Sequence, residues 1–294
     1  MRSRVWGFQK HEAAMKKLLI TGGSGDLGRE LCQQASAKGY QVTATYLTRA
    51  QRVRAGTPLQ LDLNDPEAVK AALDQVQPDV IIHTAVPPMN APNLRAQIVA
   101  SAYHLRTFCP RQTKLIFLST DMVFDGTQPP YADDAPPSPL SAYGQAKAEM
   151  EVMADYVIRT SLIYAFERGN KQTDWMLEKI GRGETLRLYA DEFRSAIWVV
   201  NLAEAILELI ENPFFRGTLN VAAPTAISRL TLGQKLLEAL GVVDAPIEAV
   251  SSAATGRPAN LALDVSKAQL LLKTPLLNLE EAYARWRESA AEVR

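Results

Sequence analysis

A glycine-rich turn between an apolar run and an amphipathic stretch is the feature that most constrains the fold of this chain. Residues 21–28 read TGGSGDLG and follow the apolar run Lys17–Thr21. Leu27, Leu31 and Ala35 then recur every four residues, which predicts a helix with one buried face. A strand, a glycine turn and a helix in this order are typical of the βαβ unit that binds a dinucleotide.

Three glycines of this turn have predicted physical roles. Gly22 permits the tight turn, and Gly25 lets a pyrophosphate approach the backbone N–H groups where the helix begins. Gly28 lets the helix pack closely against the sheet. Asp26 and Leu27 lie between these glycines, so we expect both of them in the same cofactor-binding loop. An ordinary turn is the alternative, and the flanking strand and helix argue against it.

Short β-branched runs alternate with helical patterns through the first two-thirds of the chain. This alternation predicts a Rossmann-type α/β fold, a doubly wound parallel sheet with helices on both faces. The predicted strands are 17–21, 41–46, 80–83, 114–119 and 156–160, with a weaker one at 58–61; the predicted helices include 66–76, 96–108 and 142–153.

The rhythm changes after about residue 164, where helical stretches dominate and only short extended pieces lie between them. The predicted helices here are 174–181, 202–210, 231–240 and 279–288. We therefore expect a cofactor domain at 15–164 and a smaller α/β substrate region at 165–294, with a return of the chain to the first domain left open. Residues 1–14 have no core-forming pattern and are expected to be an extension outside the fold.

Composition excludes several classes of protein. Lys plus Arg and Asp plus Glu both number 32, so the net charge gives no overall attraction to nucleic acid. No run of about 18 apolar residues predicts a membrane helix. Cys32 and Cys109 have no metal-ligand spacing, so we expect no metal and two reduced thiols in a cytoplasmic protein. Cys32 falls on the predicted buried face of the first helix.

The end of the second predicted strand indicates the choice of cofactor. An NAD site places an acidic residue about 20 positions after the glycine turn, to bind the ribose 2′-hydroxyl. Here the segment 45–49 reads TYLTR, with Tyr46 and Arg49 but no acid. A guanidinium suits a 2′-phosphate, so we expect NADP(H) to be preferred over NAD(H). Arg49 could instead be an ordinary solvated loop arginine.

A tyrosine and a lysine four residues apart form the strongest catalytic pattern. Tyr143 and Lys147 would share one helix face, where an ammonium stabilises a phenolate and lowers the tyrosine pKa. Thr120 lies 23 residues before Tyr143, at the end of a predicted strand. Together with the GxxGxxG spacing, these three residues resemble the Ser/Thr–Tyr–Lys triad of the short-chain dehydrogenase/reductase superfamily.

Three further segments resemble the dTDP-4-dehydrorhamnose reductases within the extended branch of that superfamily. They are 119–126 (STDMVFDG), 159–161 (RTS) and 256–267 (GRPANLALDVSK). The resemblance runs from about Met15 to the last helix. It implies hydride transfer from NADPH to the 4-keto carbon of a nucleotide-linked deoxysugar. Tyr143 would then donate the proton, Thr120 would hold the oxygen and Lys147 would tune the tyrosine.

The resemblance also implies further binding residues. Asp62 and Leu63 correspond to a pair beside the adenine ring, and Ala85 and Val86 to a segment beside the nicotinamide ribose. The substrate residues it suggests are Asp121, Arg194 and Arg257, and the two arginines could grip a diphosphate. Three of these residues have a plainer alternative: Asp62 could cap a turn, and the two arginines could be structural.

Two other functions remain open. The methionine adenosyltransferase beta subunit resembles the same branch and serves its partner by binding, whereas an epimerase or dehydratase would keep the fold and change the chemistry. A dehydratase wants a second carboxylate beside Asp121, and Met122 stands there. Leu162 also departs from the tryptophan that often follows the RTS segment. The oligomeric state stays open, a homodimer included. His83, at a strand end, is interpreted as a packed residue.

Overall fold

Seven parallel strands form the central sheet of the protein, whose computed structural model describes residues 15–292. Their order across the sheet is β3-β2-β1-β4-β5-β6-β11, which reverses between β1 and β4. This is the predicted doubly wound arrangement. The strands are β1 (Lys17–Thr21), β2 (Gln41–Tyr46), β3 (Thr57–Gln60), β4 (Val80–His83), β5 (Lys114–Thr120), β6 (Tyr156–Thr160) and β11 (Gly217–Asn220).

Helices cover both faces of this sheet, because alternate residues of each strand point to opposite sides. Leu18 and Ile20 of β1 join the larger apolar core, whereas Leu19 joins a second core on the other face. The helices are α1 (Asp26–Ala37), α2 (Pro66–Val76), α3 (Leu94–Phe108), α4 (Ala142–Glu151), α5 (Lys171–Gly181), α6 (Val199–Glu211), α7 (Arg229–Ala239), α8 (Ser266–Leu271) and α9 (Leu279–Glu292).

Short strand pairs build the second region beside the carboxyl ends of the central strands. β7 (Ile163–Tyr164) pairs with β10 (Ile197–Trp198), and β8 (Leu186–Tyr189) pairs with β13 (Ile247–Val250). A three-stranded sheet contains β9 (Phe193–Arg194), β12 (Ile227–Ser228) and β14 (Asn260–Leu261). Between these pieces the chain returns to the central sheet, where β11 pairs with β6.

Most predicted elements agree with the structure to within a few residues, and the differences have local causes. Helix α5 begins at Lys171 rather than at 174, because the Asn170 side chain accepts the Gln172 N–H at 2.9 Å and caps the helix. Asp65 directly before Pro66 is the sequence pattern of a helix cap, and the structure confirms it, since the Asp65 carboxylate accepts the N–H groups of Glu67 and Ala68.

Two further expectations concern Cys32 and the first 14 residues. The buried position of Cys32 is confirmed, because its side chain has no exposed surface. The expectation for residues 1–14 lies outside the described residues. Between residues 15 and 292, no helix combines the length and apolarity that a membrane crossing requires.

Candidate active site

The glycine turn after β1 is held by contacts that exclude larger side chains. A Cβ added to Gly28 would lie 2.1 Å from the Gly22 carbonyl oxygen, so α1 begins directly against the turn. Gly22 itself has φ +72° and faces the backbone of Ala85. At Gly25 an added Cβ would meet only the Gly22 carbonyl oxygen, at 3.1 Å. The space beside Gly25 is otherwise open, as a bound pyrophosphate requires.

The first turn of α1 offers backbone donors. Within the described part of the chain, no side chain caps this helix at Gly25. The Asp26 carboxylate is engaged elsewhere: it accepts from Arg29 at 2.9 Å, from Arg52 at 3.2 Å and from the Lys171 N–H at 3.1 Å. The Asp26 side chain therefore links the glycine turn to the start of α5. The group of Asp26 that faces a cofactor is then its backbone N–H.

The end of β2 places Tyr46 and Arg49 beside the same turn. The Gly23 N–H donates to the Thr45 carbonyl at 2.7 Å, which holds the turn against this strand end. Arg49 is exposed and precedes a short 3-10 turn at Ala50–Arg52, while Tyr46 is half-buried. Arg49 thus lies at the strand end where we predicted a 2′-phosphate.

The other predicted cofactor residues occupy the neighbouring loops. Asp62 is exposed, and its carboxylate accepts the Asn64 N–H at 2.9 Å, so it closes a turn in this structure. Leu63 is buried. Ala85 follows β4 and packs on Gly22, whereas the next residue, Val86, is 37% exposed.

Helix α4 is seated on the turn that follows β5. A Cβ on Gly144 would lie 2.1 Å from the Met122 carbonyl oxygen, so only glycine permits this approach. The Ser141 hydroxyl caps the helix by accepting the Gly144 N–H at 3.1 Å. This seating brings Tyr143 of α4 to Thr120 at the end of β5, and the three predicted catalytic residues lie together.

The pKa of Tyr143 departs from the sequence expectation. Burial and the nearby Asp121 carboxylate raise the pKa of Tyr143 to about 12, although the Thr120 hydroxyl and Arg194 act in the opposite direction. The predicted lowering by Lys147 is wrong for this structure, because the Lys147 Nζ lies 6.0 Å from the centroid of the tyrosine ring. The phenol is therefore protonated at neutral pH, the form that a proton donor needs.

Lys147 is buried, with 2% of its surface exposed. Its Nζ donates to the Leu118 carbonyl of β5 at 2.8 Å. Burial lowers the pKa of Lys147 to about 8, while Glu151 on the same helix raises it. The same burial lowers the pKa of the neighbouring His83 to about 3, so that imidazole is neutral. Its Nδ1 lies 2.8 Å from the Thr21 hydroxyl, which agrees with its interpretation as a packed residue.

Two of the three predicted substrate residues are paired with each other. Asp121 is fully buried, and Arg194 donates to its carboxylate through Nε at 2.7 Å and through Nη2. The Ser161 hydroxyl donates to the same carboxylate. Arg194 is itself 7% exposed. Both side chains thus lie beneath the site rather than on its surface.

The third predicted substrate residue lies on a cavity. Arg257, with 44% of its side chain exposed, lines a space of about 130 Å³ together with Met122 and Ser141. The lining of this cavity includes Ser141, the cap of the helix that carries Tyr143, but none of Thr120, Tyr143 and Lys147. A larger open groove of about 590 Å³ lies on α3 and α4, around Tyr103, and none of the predicted site residues lines it.

The sequence analysis did not identify the buried charges that link Arg257 to Arg194. Glu192 is 1% exposed and accepts from Arg257 at 2.6 Å, with Arg194 Nη1 at 3.6 Å. Arg229 adds a further cation near Glu192, and burial lowers its pKa. The only sequence signal was the alternation of Glu192 and Arg194 around β9, which is weak because β9 has two residues.

Comparison with known proteins assigns the chain to a family. Residues 15–292 match the RmlD substrate binding domain family. The chain belongs to that family. The predicted recognition and enzyme class, an oxidoreductase of the extended short-chain dehydrogenase/reductase type, are confirmed.

Of two similar relatives, one is named as an enzyme and the other as a subunit. A dTDP-4-keto-6-deoxy-D-glucose reductase of Streptomyces niveus is 31% identical over 218 residues, which are 68% of this chain and 72% of the relative. The methionine adenosyltransferase 2 subunit beta of Xenopus tropicalis is 28% identical over 275 residues, 86% of this chain and 81% of the relative. Both an enzyme and a subunit therefore resemble this chain.

A solved structure confirms the predicted fold class. The dTDP-4-dehydrorhamnose reductase of Bacillus anthracis, in complex with NADP, superposes with a TM-score of 0.76 at 22% identity. The match covers 94% of this chain and 99% of that one. At this identity the likeness shows the fold alone.

Proposed function

We propose that the protein reduces a 4-keto nucleotide-linked deoxysugar with NADPH, and that Tyr143 donates the proton. The observation that carries this proposal is the meeting of Thr120, Tyr143 and Lys147 at the end of β5, in the parallel sheet whose β1 leads into the glycine turn. In this reading residues 15–164 mainly supply the cofactor site. Residues 165–294 mainly supply the sugar-nucleotide site.

The residues around the glycine turn fit a dinucleotide. The uncapped first turn of α1 presents backbone N–H groups, and the space beside Gly25 is open. Arg49 would hold the 2′-phosphate, which favours NADPH over NADH. Ala85 and Val86 would line the nicotinamide side. The bound cofactor supplies the hydride.

The side chains of the triad have matching protonation states. The pKa of Tyr143, raised to about 12, keeps a proton on the phenol for the alkoxide that reduction creates. Thr120 would position the reacting oxygen. Lys147 would hold the cofactor ribose, since its Nζ already lies against the carboxyl end of β5.

Arg257 supports a diphosphate-bearing substrate. Its guanidinium is partly exposed on the cavity beside Ser141, and Glu192 fixes its orientation through two hydrogen bonds of 2.6 and 3.0 Å. A fixed guanidinium presents a fork of donors that suits phosphate oxygens. An anion-binding group on this cavity, which Ser141 at the cap of α4 also lines, supports the proposal of a diphosphate-bearing substrate.

One alternative keeps the fold without catalysis. The relative named as a methionine adenosyltransferase subunit supports a binding role. The complete triad, with its lysine buried and its tyrosine protonated, supports an enzyme instead. A dehydratase is disfavoured because the Asp121 carboxylate is paired with the buried Arg194, and Met122 stands where the second carboxylate is expected.

Tyr143→Phe tests the function directly. The variant keeps the ring, so NADPH should bind with native affinity while kcat falls by about 10²–10⁴-fold. Lys147→Met should lose both cofactor affinity and turnover. The assay follows NADPH absorbance with a panel of 4-keto nucleotide sugars, and calorimetry measures cofactor affinity.

Tyr103→Phe is the matched control, because Tyr103 is a 59% exposed tyrosine on α3 and should keep native kcat. Full turnover by Tyr143→Phe on an accepted substrate would refute the mechanism. A native protein that binds NADPH and oxidises it with no sugar of the panel would favour the binding role.

A further inference from the structure

We propose that Asp121 and Arg194 are positioning residues: the ion pair orients the Thr120 hydroxyl and sets the electrostatic field at Tyr143, without contacting the sugar. This inference rests on the proposed function, whose triad it concerns. It gives Asp121 and Arg194 a different role from the substrate contact that the sequence suggested.

Burial and hydrogen bonding argue against direct contact with a substrate. Asp121 has no exposed surface, and its two oxygens receive hydrogen bonds from Arg194, Ser161 and Thr120. Removing either charge from such a pair leaves the other one buried and uncompensated. Neither residue lines the cavity on which Arg257 lies. The hydrogen bonds of the Asp121 carboxylate therefore all go to the protein, which leaves none for a substrate.

The hydrogen bonds around Thr120 have a defined direction. Its hydroxyl donates to the Asp121 carboxylate at 3.2 Å and accepts the Met122 N–H at 3.2 Å. Thr120 also hydrogen-bonds Tyr143 and lowers its pKa, so the one proton of the Thr120 hydroxyl is shared between the phenol oxygen and the Asp121 carboxylate. Asp121 thus determines which way the hydroxyl of Thr120 points.

The charges that face Tyr143 come from three elements. Asp121 lies on the turn after β5 and raises the pKa of Tyr143, whereas Arg194 of β9 lowers it. Lys147 shares α4 with the tyrosine, its Nζ 6.0 Å from the ring centroid. Neutralising Asp121 and neutralising Arg194 should therefore move the ionisation of Tyr143 in opposite directions.

Opposite shifts are the test. In the oxidation of the alcohol product by NADP⁺, Tyr143 must be a phenolate, so kcat rises with pH. Because the pKa of Tyr143 is about 12, the midpoint is compared through the position of the rising limb below it. Asp121→Asn should move that limb to lower pH, and Arg194→Gln should move it to higher pH, each by about 1 pH unit, which is about tenfold in kcat at a fixed pH. The KM for the sugar nucleotide should stay within about twofold of native. The double variant, which restores a neutral pair, should return the midpoint close to the native value.

Asp133→Asn is the matched control. It makes the same chemical change at a half-buried carboxylate that does not act on Tyr143, so its midpoint should equal the native one. A merely structural pair would lower kcat in both single variants with unmoved midpoints. A substrate-binding pair would raise KM in the single and double variants. Either result overturns the proposal.

A second readout separates this inference from the proposed function. The phenolate absorbance of the NADP⁺ complex can be titrated without turnover, with Tyr143→Phe as the blank. If the native protein reduces no sugar, the function fails, and the opposite shifts must still appear in this titration. If single variants do not fold, the double variant must keep the native midpoint and KM; otherwise the pair has another role.

Discussion

Gly28→Ala should damage both stability and cofactor binding, because the structure leaves no room for a methyl group. The added Cβ would lie 2.1 Å from the Gly22 carbonyl oxygen and 2.7 Å from its carbon. Relief requires α1 to move away from the turn by about 1.3 Å, to reach an ordinary contact distance. Overpacking of this kind costs about 1–3 kcal/mol in the free energy of unfolding. The displaced helix start would also misalign the N–H groups that the pyrophosphate needs.

Two matched glycine substitutions separate these effects. Gly25→Ala meets one atom, at 3.1 Å, and should keep near-native stability while it weakens NADPH binding, because the methyl group occupies the open side. Gly181→Ala, at the end of α5, meets nothing within 4 Å. It should leave NADPH affinity unchanged and stabilise the protein by up to about 1 kcal/mol.

Urea unfolding measures the first quantity and titration with NADPH the second. The expected order of stability is Gly181→Ala, then native and Gly25→Ala together, then Gly28→Ala. A Gly28→Ala protein with native stability and native NADPH affinity would refute the role given to the close approach of α1.

Three further perturbations test separate parts of the structure. Arg49→Ala should reduce the preference for NADPH over NADH, measured as the ratio of the two dissociation constants, by roughly 10- to 100-fold. The control Arg187→Ala removes an exposed arginine of β8 and should leave that ratio unchanged. Equal affinities of the native protein for NADPH and NADH would contradict the role of Arg49. The pKa of His83 is lowered from 6.5 to about 3, so the unfolded chain binds a proton that the folded one refuses, and stability falls as pH drops from about 6.5 towards 3. His83→Asn should remove that part of the loss in urea unfolding at several pH values, and an unchanged slope would count against it. Glu151→Ala leaves the buried guanidinium of Arg159 without its carboxylate. This should lower the free energy of unfolding in urea by about 3–5 kcal/mol. A loss below about 1 kcal/mol would show that the ion pair is dispensable.

Local patterns determined much of the fold and part of the site. The glycine turn, the strand alternation and the Asp65 cap all depend on residues close together in sequence, so each could be predicted before the structure. The same holds for Tyr143 and Lys147, which share a face because a helix repeats about every four residues. Their meeting with Thr120 followed from the carboxyl end of a parallel strand, where loops of this fold converge.

Tertiary structure alone decided the electrostatics. Asp121 and Arg194 lie 73 residues apart, and no local pattern shows that they pair. Burial and the Asp121 carboxylate raise the pKa of Tyr143 and Arg194 lowers it, where spacing alone predicted a lowering by Lys147. Asp26 likewise depends on Arg52 and on Lys171, 145 residues away. The physical reason is that a local pattern fixes which backbone conformation is favoured, whereas the energy of a charge depends on solvent exclusion and on neighbours that distant parts of the chain supply.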